Sequence, residues 1–328
     1  MKEKRMAILV GCLLLVFTLG ITPVWAQIKF IQITSGPVGG TYYVLGGALA
    51  DLLKDVIPGA KVTVTTGGSL QNISKVQSGK ADIGFTMDSL VHEARNGMGA
   101  YKDKGVHDKV MGLTYVCDIY MSLFLVRGDM ALSSIQEVKD KKMPVRILTS
   151  PRASSPSVAA ERMLNEYGIT FDDIKSWGGK VNFVSYAEAS SLLKDGHADI
   201  WCGPMVPPIR EASLSLKMKL LPIKESLLKV LKEKYKYGIA TIPAGYSGWE
   251  FIKEPTPTMT ESIMIIIGKG LPDDVVYKIA ESIATHPDTV RNVHALYKPY
   301  DPKNACNISG GPIHPGALRY YREKGICK

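Results

Sequence analysis

The chain has 328 residues, of which 45% are hydrophobic and 8% aromatic, and a formal net charge of +9. Its first 26 residues read as an export signal: Lys2, Lys4 and Arg5 precede the almost wholly apolar stretch 7–21, and Val24-Trp25-Ala26 supplies a small-residue cut site. Cleavage there leaves 302 residues of charge +7, a length and composition that fit two soluble lobes and exclude disorder, collagen and multi-span transport.

The apolar run stops at Thr22-Pro23, short of the roughly 20 residues a bilayer span takes. A lipoprotein signal at Leu9-Val10-Gly11-Cys12 would leave too short an apolar core before the cut. From residue 28 onward strands and helices alternate, which is α/β grammar. Residues 28–34 predict a buried strand, and Ser35-Gly36-Pro37-Val38-Gly39-Gly40 predicts a turn. A helix follows over 41–56, with Val44, Ala48, Leu49, Leu52 and Val56 on one face. Pro58-Gly59 stops it. Then come a strand over 61–65, the turn Thr66-Gly67-Gly68-Ser69, a short helix over 70–77 and a strand over 81–86.

The second region repeats the order: strand 145–149, loop and helix start 150–157, helix 158–167, strand 181–186, helix 187–194 and strand 198–202. Gly79-Lys80-Ala81-Asp82-Ile83 and Gly196-His197-Ala198-Asp199-Ile200 each close a helix and open a strand, so the two regions read as duplicated α/β units. In that frame Asp82 and Asp199 are turn or strand-edge residues.

Ligands of open α/β sheets sit beyond the strands' carboxyl ends, where loops hand over to helix starts. Gly39, Gly40, Thr41 and Tyr42, and again Gly68 and Ser69, combine close backbone approach, exposed helix N–H groups and a hydroxyl. Such sites prefer anions, carboxylates above all. The second region offers Arg152, Ser154 and Ser155 at a helix start, and Cys202 and Gly203 after its last strand. Arg152 is the cation placed to grip a carboxylate bidentately; the alternative is a surface charge.

Catalytic and cofactor motifs are missing. No nucleophile elbow surrounds Ser35, the turn 36–40 misses the dinucleotide spacing, and no P-loop lysine follows it. The histidines and the four cysteines beyond residue 26 lack ligand spacing, so no metal and no cofactor are expected. Export permits disulfides; of the three connectivities open to Cys117, Cys202, Cys306 and Cys327, Cys306 with Cys327 in the loop-rich tail is favoured. An enzyme on this frame would have to use Asp88, Cys202 or His197. No nucleic-acid partner is expected from scattered lysines on a solvated helix face.

Several segments together resemble the TAXI family of extracytoplasmic solute-binding proteins, which serve tripartite ATP-independent periplasmic (TRAP) transporters. They are Gly39-Gly40-Thr41-Tyr42-Tyr43 with Gly46-Gly47-Ala48-Leu49-Ala50, Thr66-Gly67-Gly68-Ser69, Gly79 to Ile83, Tyr186-Ala187-Glu188-Ala189, Thr241-Ile242-Pro243-Ala244-Gly245, His314-Pro315-Gly316-Ala317 and Arg319 to Gly325. The resemblance implies a periplasmic, two-lobed fold of the periplasmic-binding-protein kind (type II-like), with a ligand cleft between lobes and membrane subunits of a TRAP transporter as partners. It further implies a non-enzymatic monomer for glutamate-like amino acids or dicarboxylates. Contacts carried over by position are Gly39, Gly40, Thr41, Tyr42, Gly68, Ser69, Met87 and Asp88. Residues 27–118 and 238–328 are expected to form one lobe and 119–237 the other. The chain departs from the family's Gly-rich second-lobe loop, having Ser150-Pro151-Arg152-Ala153-Ser154-Ser155 there. An importer of the ABC type is the alternative partner.

Overall fold

A computed structural model describes residues 28–38, 40–121 and 123–328. The expected export signal and Gly39 therefore lie outside the described residues. The first unit runs β1 (Phe30–Thr34), α1 (Thr41–Val56), β2 (Lys61–Thr65), α2 (Ser69–Gln77), β3 (Ile83–Met87) and α3 (Asp88–Asn96), then the long β4 (Val110–Tyr120). β1 lies parallel to both β2 and β3. After β5 (Leu123–Arg127) and α4 (Ile135–Asp140) the second unit runs β6 (Arg146–Thr149), α5 (Ser155–Glu166), α6 (Phe171–Ser176), β7 (Lys180–Phe183), α7 (Tyr186–Lys194) and β8 (Ile200–Gly203). Here β6 lies parallel to β7 and β8. α8 (Pro207–Ser215), β9 (Met218–Leu220), α9 (Glu225–Tyr235), β10 (Gly238–Ile242) and β11 (Thr256–Gly268) follow, then α10 (Asp273–Thr285), α11 (Pro287–Arg291) and α12 (Pro315–Glu323).

The strands make two sheets. One has the order β10-β11-β3-β1-β2, with β4 also on β11; the other has the order β7-β6-β8-β5-β9. Each sheet thus holds a parallel trio followed by an antiparallel strand, β11 beside β3 and β5 beside β8. The duplicated pentapeptide has the same job in both. Gly79 and Gly196 take the left-handed conformation (φ 70° and 74°). Asp82 and Asp199 each accept the backbone N–H of the neighbouring strand, Gln32 N and Arg146 N, at 2.8 Å, so both carboxylates are strand-edge fasteners.

This is an α/β, two-lobed fold. The chain passes from one sheet to the other between Tyr120 and Leu123, and returns between Leu220 and Gly238. One segment does not keep to the sheet it leaves. Ile242, Trp249 and Ile252 join the apolar cluster of the second sheet, with Leu148 and Trp201, and Arg210 Nε donates to Gly248 O at 3.3 Å. Residues 242–252 therefore strap one lobe to the other. At the C-terminus Cys306 and Cys327 form a disulfide with Cα atoms 5.9 Å apart. The His-Pro-Gly-Ala segment is a helix start: buried His314 accepts Gly316 N on Nδ1 at 3.2 Å, and a Cβ on Gly316 would lie 2.1 Å from Asp273 O.

Candidate functional site

Three helix starts point toward the junction of the lobes. Gly40 and Gly68 stand as extended N-caps of α1 and α2 without a capping side chain; Tyr43 N donates back to Gly40 O at 3.0 Å and Asn72 N to Gly68 O at 2.8 Å, so only part of each first turn keeps its donor character. The α5 start is capped from within: Ser154 Oγ accepts Ser157 N at 3.5 Å and donates to Pro151 O at 2.6 Å. The next residue does something else. Ser69 Oγ of α2 donates to Ser155 Oγ of α5 at 3.1 Å, and Leu70 N donates to Ala153 O at 3.4 Å. The two lobes are therefore in contact through these loops, and the described conformation is closed.

Behind that contact lies a group of phenols and hydroxyls. Tyr42 stacks on Phe85 with centroids 5.6 Å apart and directs its hydroxyl at Thr86 O and Met87 Sδ, both at 3.4 Å. Burial holds its pKa well above the usual phenol value, assisted by Tyr297, Glu261, Cys117 and Tyr186 nearby. Tyr297 and Tyr186 are raised by burial too, while Thr41 and Ser150 pull them back. Tyr186 opens α7 of the second lobe, so both lobes supply phenols to the same place. Cys117 is buried, and burial pushes its thiol up to about 12.

Thr149 Oγ1 is buried without a partner, and Ser150 Oγ and Tyr297 OH meet none at full hydrogen-bonding geometry, having only the looser approach of Tyr186 and Thr41. All three residues are 0% exposed. Buried polar atoms are ordinarily satisfied, because each orphan costs about 1–3 kcal/mol. Orphaned or loosely held hydroxyls from both lobes, beside helix starts that have no capping side chain, are what a polar solute would satisfy.

Of the residues expected from sequence, Thr41, Tyr42 and Met87 come together with Tyr297 and Tyr186, and Ser69 meets Ser155. Gly40 and Gly68 occupy the cap positions that let backbone approach. Others go elsewhere. The Asp88 carboxylate accepts Ser309 N, Ser309 Oγ and Gly310 N, and so fastens the C-terminal segment to α3. Arg152 is exposed, its guanidinium stacked over Phe183 at 3.8 Å from the ring centroid; stacking on an apolar ring next to its own loop turns it away from the serines. It borders an open groove of about 410 Å³ along the flank of α5, shared with Leu70 and Ala100 of the other lobe, whereas the orphaned hydroxyls lie at the α5 start. Ser154 serves its own helix. Cys202 is buried in β8, with its thiol pushed well up by burial, and Gly203 leaves no room for a Cβ, which would fall 2.4 Å from the Trp201 ring.

Sequence reasoning missed Thr149, Tyr186 and Tyr297, while Ser150 opens the hydroxyl-dense loop expected from the second region. Thr149 ends a predicted strand and Tyr186 ends another, so the strand-end rule reaches them. Nothing local marks Tyr297, which arrives from a 3₁₀ turn near the C-terminus.

The fold is that of two-lobed periplasmic binding proteins. It is similar to the periplasmic binding protein BugD (TM-score 0.53, 14% identity, 91% of this chain and 94% of that one). It is also similar to MatC from Rhodopseudomonas palustris with bound malate (0.54, 12%, 92% and 97%) and to a TctC solute binding protein from Polaromonas (0.51, 16%, 93% and 98%). A model of the NMT1-like family matches residues 33–325, and the chain belongs to that family.

Proposed function

We propose that this chain is a periplasmic solute-binding protein that captures a small organic anion, a dicarboxylate or glutamate-like amino acid, between its lobes. It hands the solute to the membrane subunits of a TRAP transporter. The observation that carries the reading is the buried, unpartnered hydroxyl of Thr149, with the loosely held hydroxyls of Ser150 and Tyr297, beside starts of α1 and α2 that have no capping side chain. A helix start favours a carboxylate by about 0.3–1 kcal/mol, more when partly buried, and the hydroxyls and phenols supply the neutral hydrogen bonds that fix its orientation. The TAXI resemblance and the malate held by MatC in the same fold support an acid as the solute. An importer of the ABC type is the second partner reading, and genes for TRAP permease subunits beside this one would decide between them.

Binding without turnover fits the chemistry of the site. Cys117 and Cys202 are thiols held protonated by burial, and Asp88 is engaged by Ser309 and Gly310, so these three groups are occupied or unreactive. The test is a thermal-shift screen of mono- and dicarboxylates and amino acids on protein unfolded, stripped and refolded. A solute at 100 times its Kd adds about 2.7 kcal/mol to stability. A panel in which no acid raises the melting temperature counts against the reading.

A further inference from the structure

A buried ion pair joins the lobes beside the hydroxyl site. Arg162 of α5 meets Glu93 of α3 at 2.5 Å, with side chains 10% and 9% exposed. Arg162 Nη1 also donates to the Tyr237 hydroxyl at 3.0 Å, and the guanidinium lies 5.0 Å from the centroid of the Tyr235 ring. A second acid stands next to this pair. Glu261 of β11 is 3% exposed; its Oε1 accepts Ser89 Oγ at 2.5 Å, and its Oε2 has no partner.

The position of Glu261 ties it to lobe movement. It pairs with Ile119 in β4, one residue before the chain leaves this sheet, while its neighbour Thr260 pairs with Gly238 in β10, where the chain returns. The groups that face it are Ser89, Asp88 and Glu93 from α3, Arg162 from α5, Tyr237 from the returning crossing and Tyr42 from α1. Arg162 is the one cation among them, and Glu93 already occupies it. An ionised Glu261 would put two carboxylates against one guanidinium away from water, with one carboxylate oxygen lacking a donor, and buried charge of that kind costs several kcal/mol. A proton on Glu261 leaves one acid matched to one base.

We propose that closing the lobes takes up a proton at Glu261, so that the closed form gains on the open one as pH falls below neutrality. Opening carries Arg162 away with the second lobe and admits water to the junction, where a glutamate regains its ordinary behaviour near 4.3. In the closed form, burial raises Glu261 to about 7, against the lowering by Ser89 and Arg162. An acid whose pKa is higher when closed holds more protons there. Its contribution to closure is complete below about pH 4, shrinks as pH rises, and is gone above about 7. This holds whatever the solute.

The test uses the ligand-free, full mature chain with spin labels at Asp55→Cys and Asp195→Cys, one exposed position in each lobe, read by double electron–electron resonance from pH 7.5 to 5.5. The ratio of the short to the long interlobe distance rises by about twentyfold over that range. Glu261→Gln abolishes the dependence. Ser89→Ala, which keeps the acid and removes its hydrogen bond, moves the midpoint to higher pH. A distance distribution unchanged over the range, or an undiminished pH dependence in Glu261→Gln, overturns the proposal.

Discussion

Asp88→Ala separates fastening from solute contact. The carboxylate accepts Gly310 N at 2.7 Å and Ser309 N at 3.0 Å, with the Ser309 hydroxyl as a third donor. Gly310 sits so close that a Cβ would lie 2.1 Å from Asp88 O, so the segment cannot shift inward to find new acceptors. Hydrogen bonds to a charged group contribute about 1.5–3 kcal/mol each and are not additive; the expected loss is about 3 kcal/mol. Unfolding entropy near 2.1 cal/mol/K per residue, taken over about 300 residues, gives about 0.6 kcal/mol/K. The melting temperature should fall by about 5 °C, measured by far-ultraviolet circular dichroism at fixed pH without solute. Affinity for a carboxylate that binds the parent should stay within about threefold. A melting temperature within about one degree of the parent, together with loss of that affinity, would refute the fastening role and return Asp88 to the solute site.

Thr149→Val removes an orphaned buried hydroxyl at nearly constant shape. The empty protein should be as stable as the parent or up to about 1 kcal/mol more stable, whereas solute affinity should drop about fivefold or more; denaturant melts and calorimetric titration read the two effects separately. Arg152→Ala should change affinity by less than about twofold, since the guanidinium is spent on the Phe183 ring, and should cost roughly 0.5–1 kcal/mol of stability through that contact. Ala153 holds φ at 63°, where a side chain is strained, so Ala153→Gly should stabilise the chain by about 1 kcal/mol; an unchanged or lower denaturation midpoint would show that the turn carries no such strain.

Local signals were sufficient where backbone chemistry decides the structure. The helix over 41–56 and the strand over 61–65 match α1 and β2 residue for residue, because apolar period and Gly/Pro stops act within a few residues. The α5 helix begins at Ser155, three residues before the expected 158, because Ser154 caps it and Pro156 suits the first turn. β11 was not foreseen. Its pairings with β3 and β4 join segments more than a hundred residues apart, and an apolar run such as Met264-Ile265-Ile266-Ile267 does not say which neighbours bury it.

The site divides along the same line. Glycines and hydroxyls at strand ends pointed to Thr41, Tyr42, Ser69 and Ser155 because helix starts are marked locally. The contacts of the charged residues were not legible, since neither the rotamer that lays Arg152 on Phe183 nor the C-terminal loop that engages Asp88 is written near either residue. Arg162, Glu93 and Glu261 carry no local mark of their contact, which arises only when the fold stacks them between two lobes.

The central claim, capture of one small acid between the lobes, is tested most directly on protein purified from its own cells without unfolding. Native mass spectrometry, followed by identification of what unfolding releases, should find one carboxylate per chain, chemically unchanged, which rebinds refolded protein at a one-to-one ratio and binds the Thr149→Val variant about fivefold or more weakly. Release of no small molecule from any preparation, or conversion of the released acid into a different product on incubation with refolded protein, would contradict it.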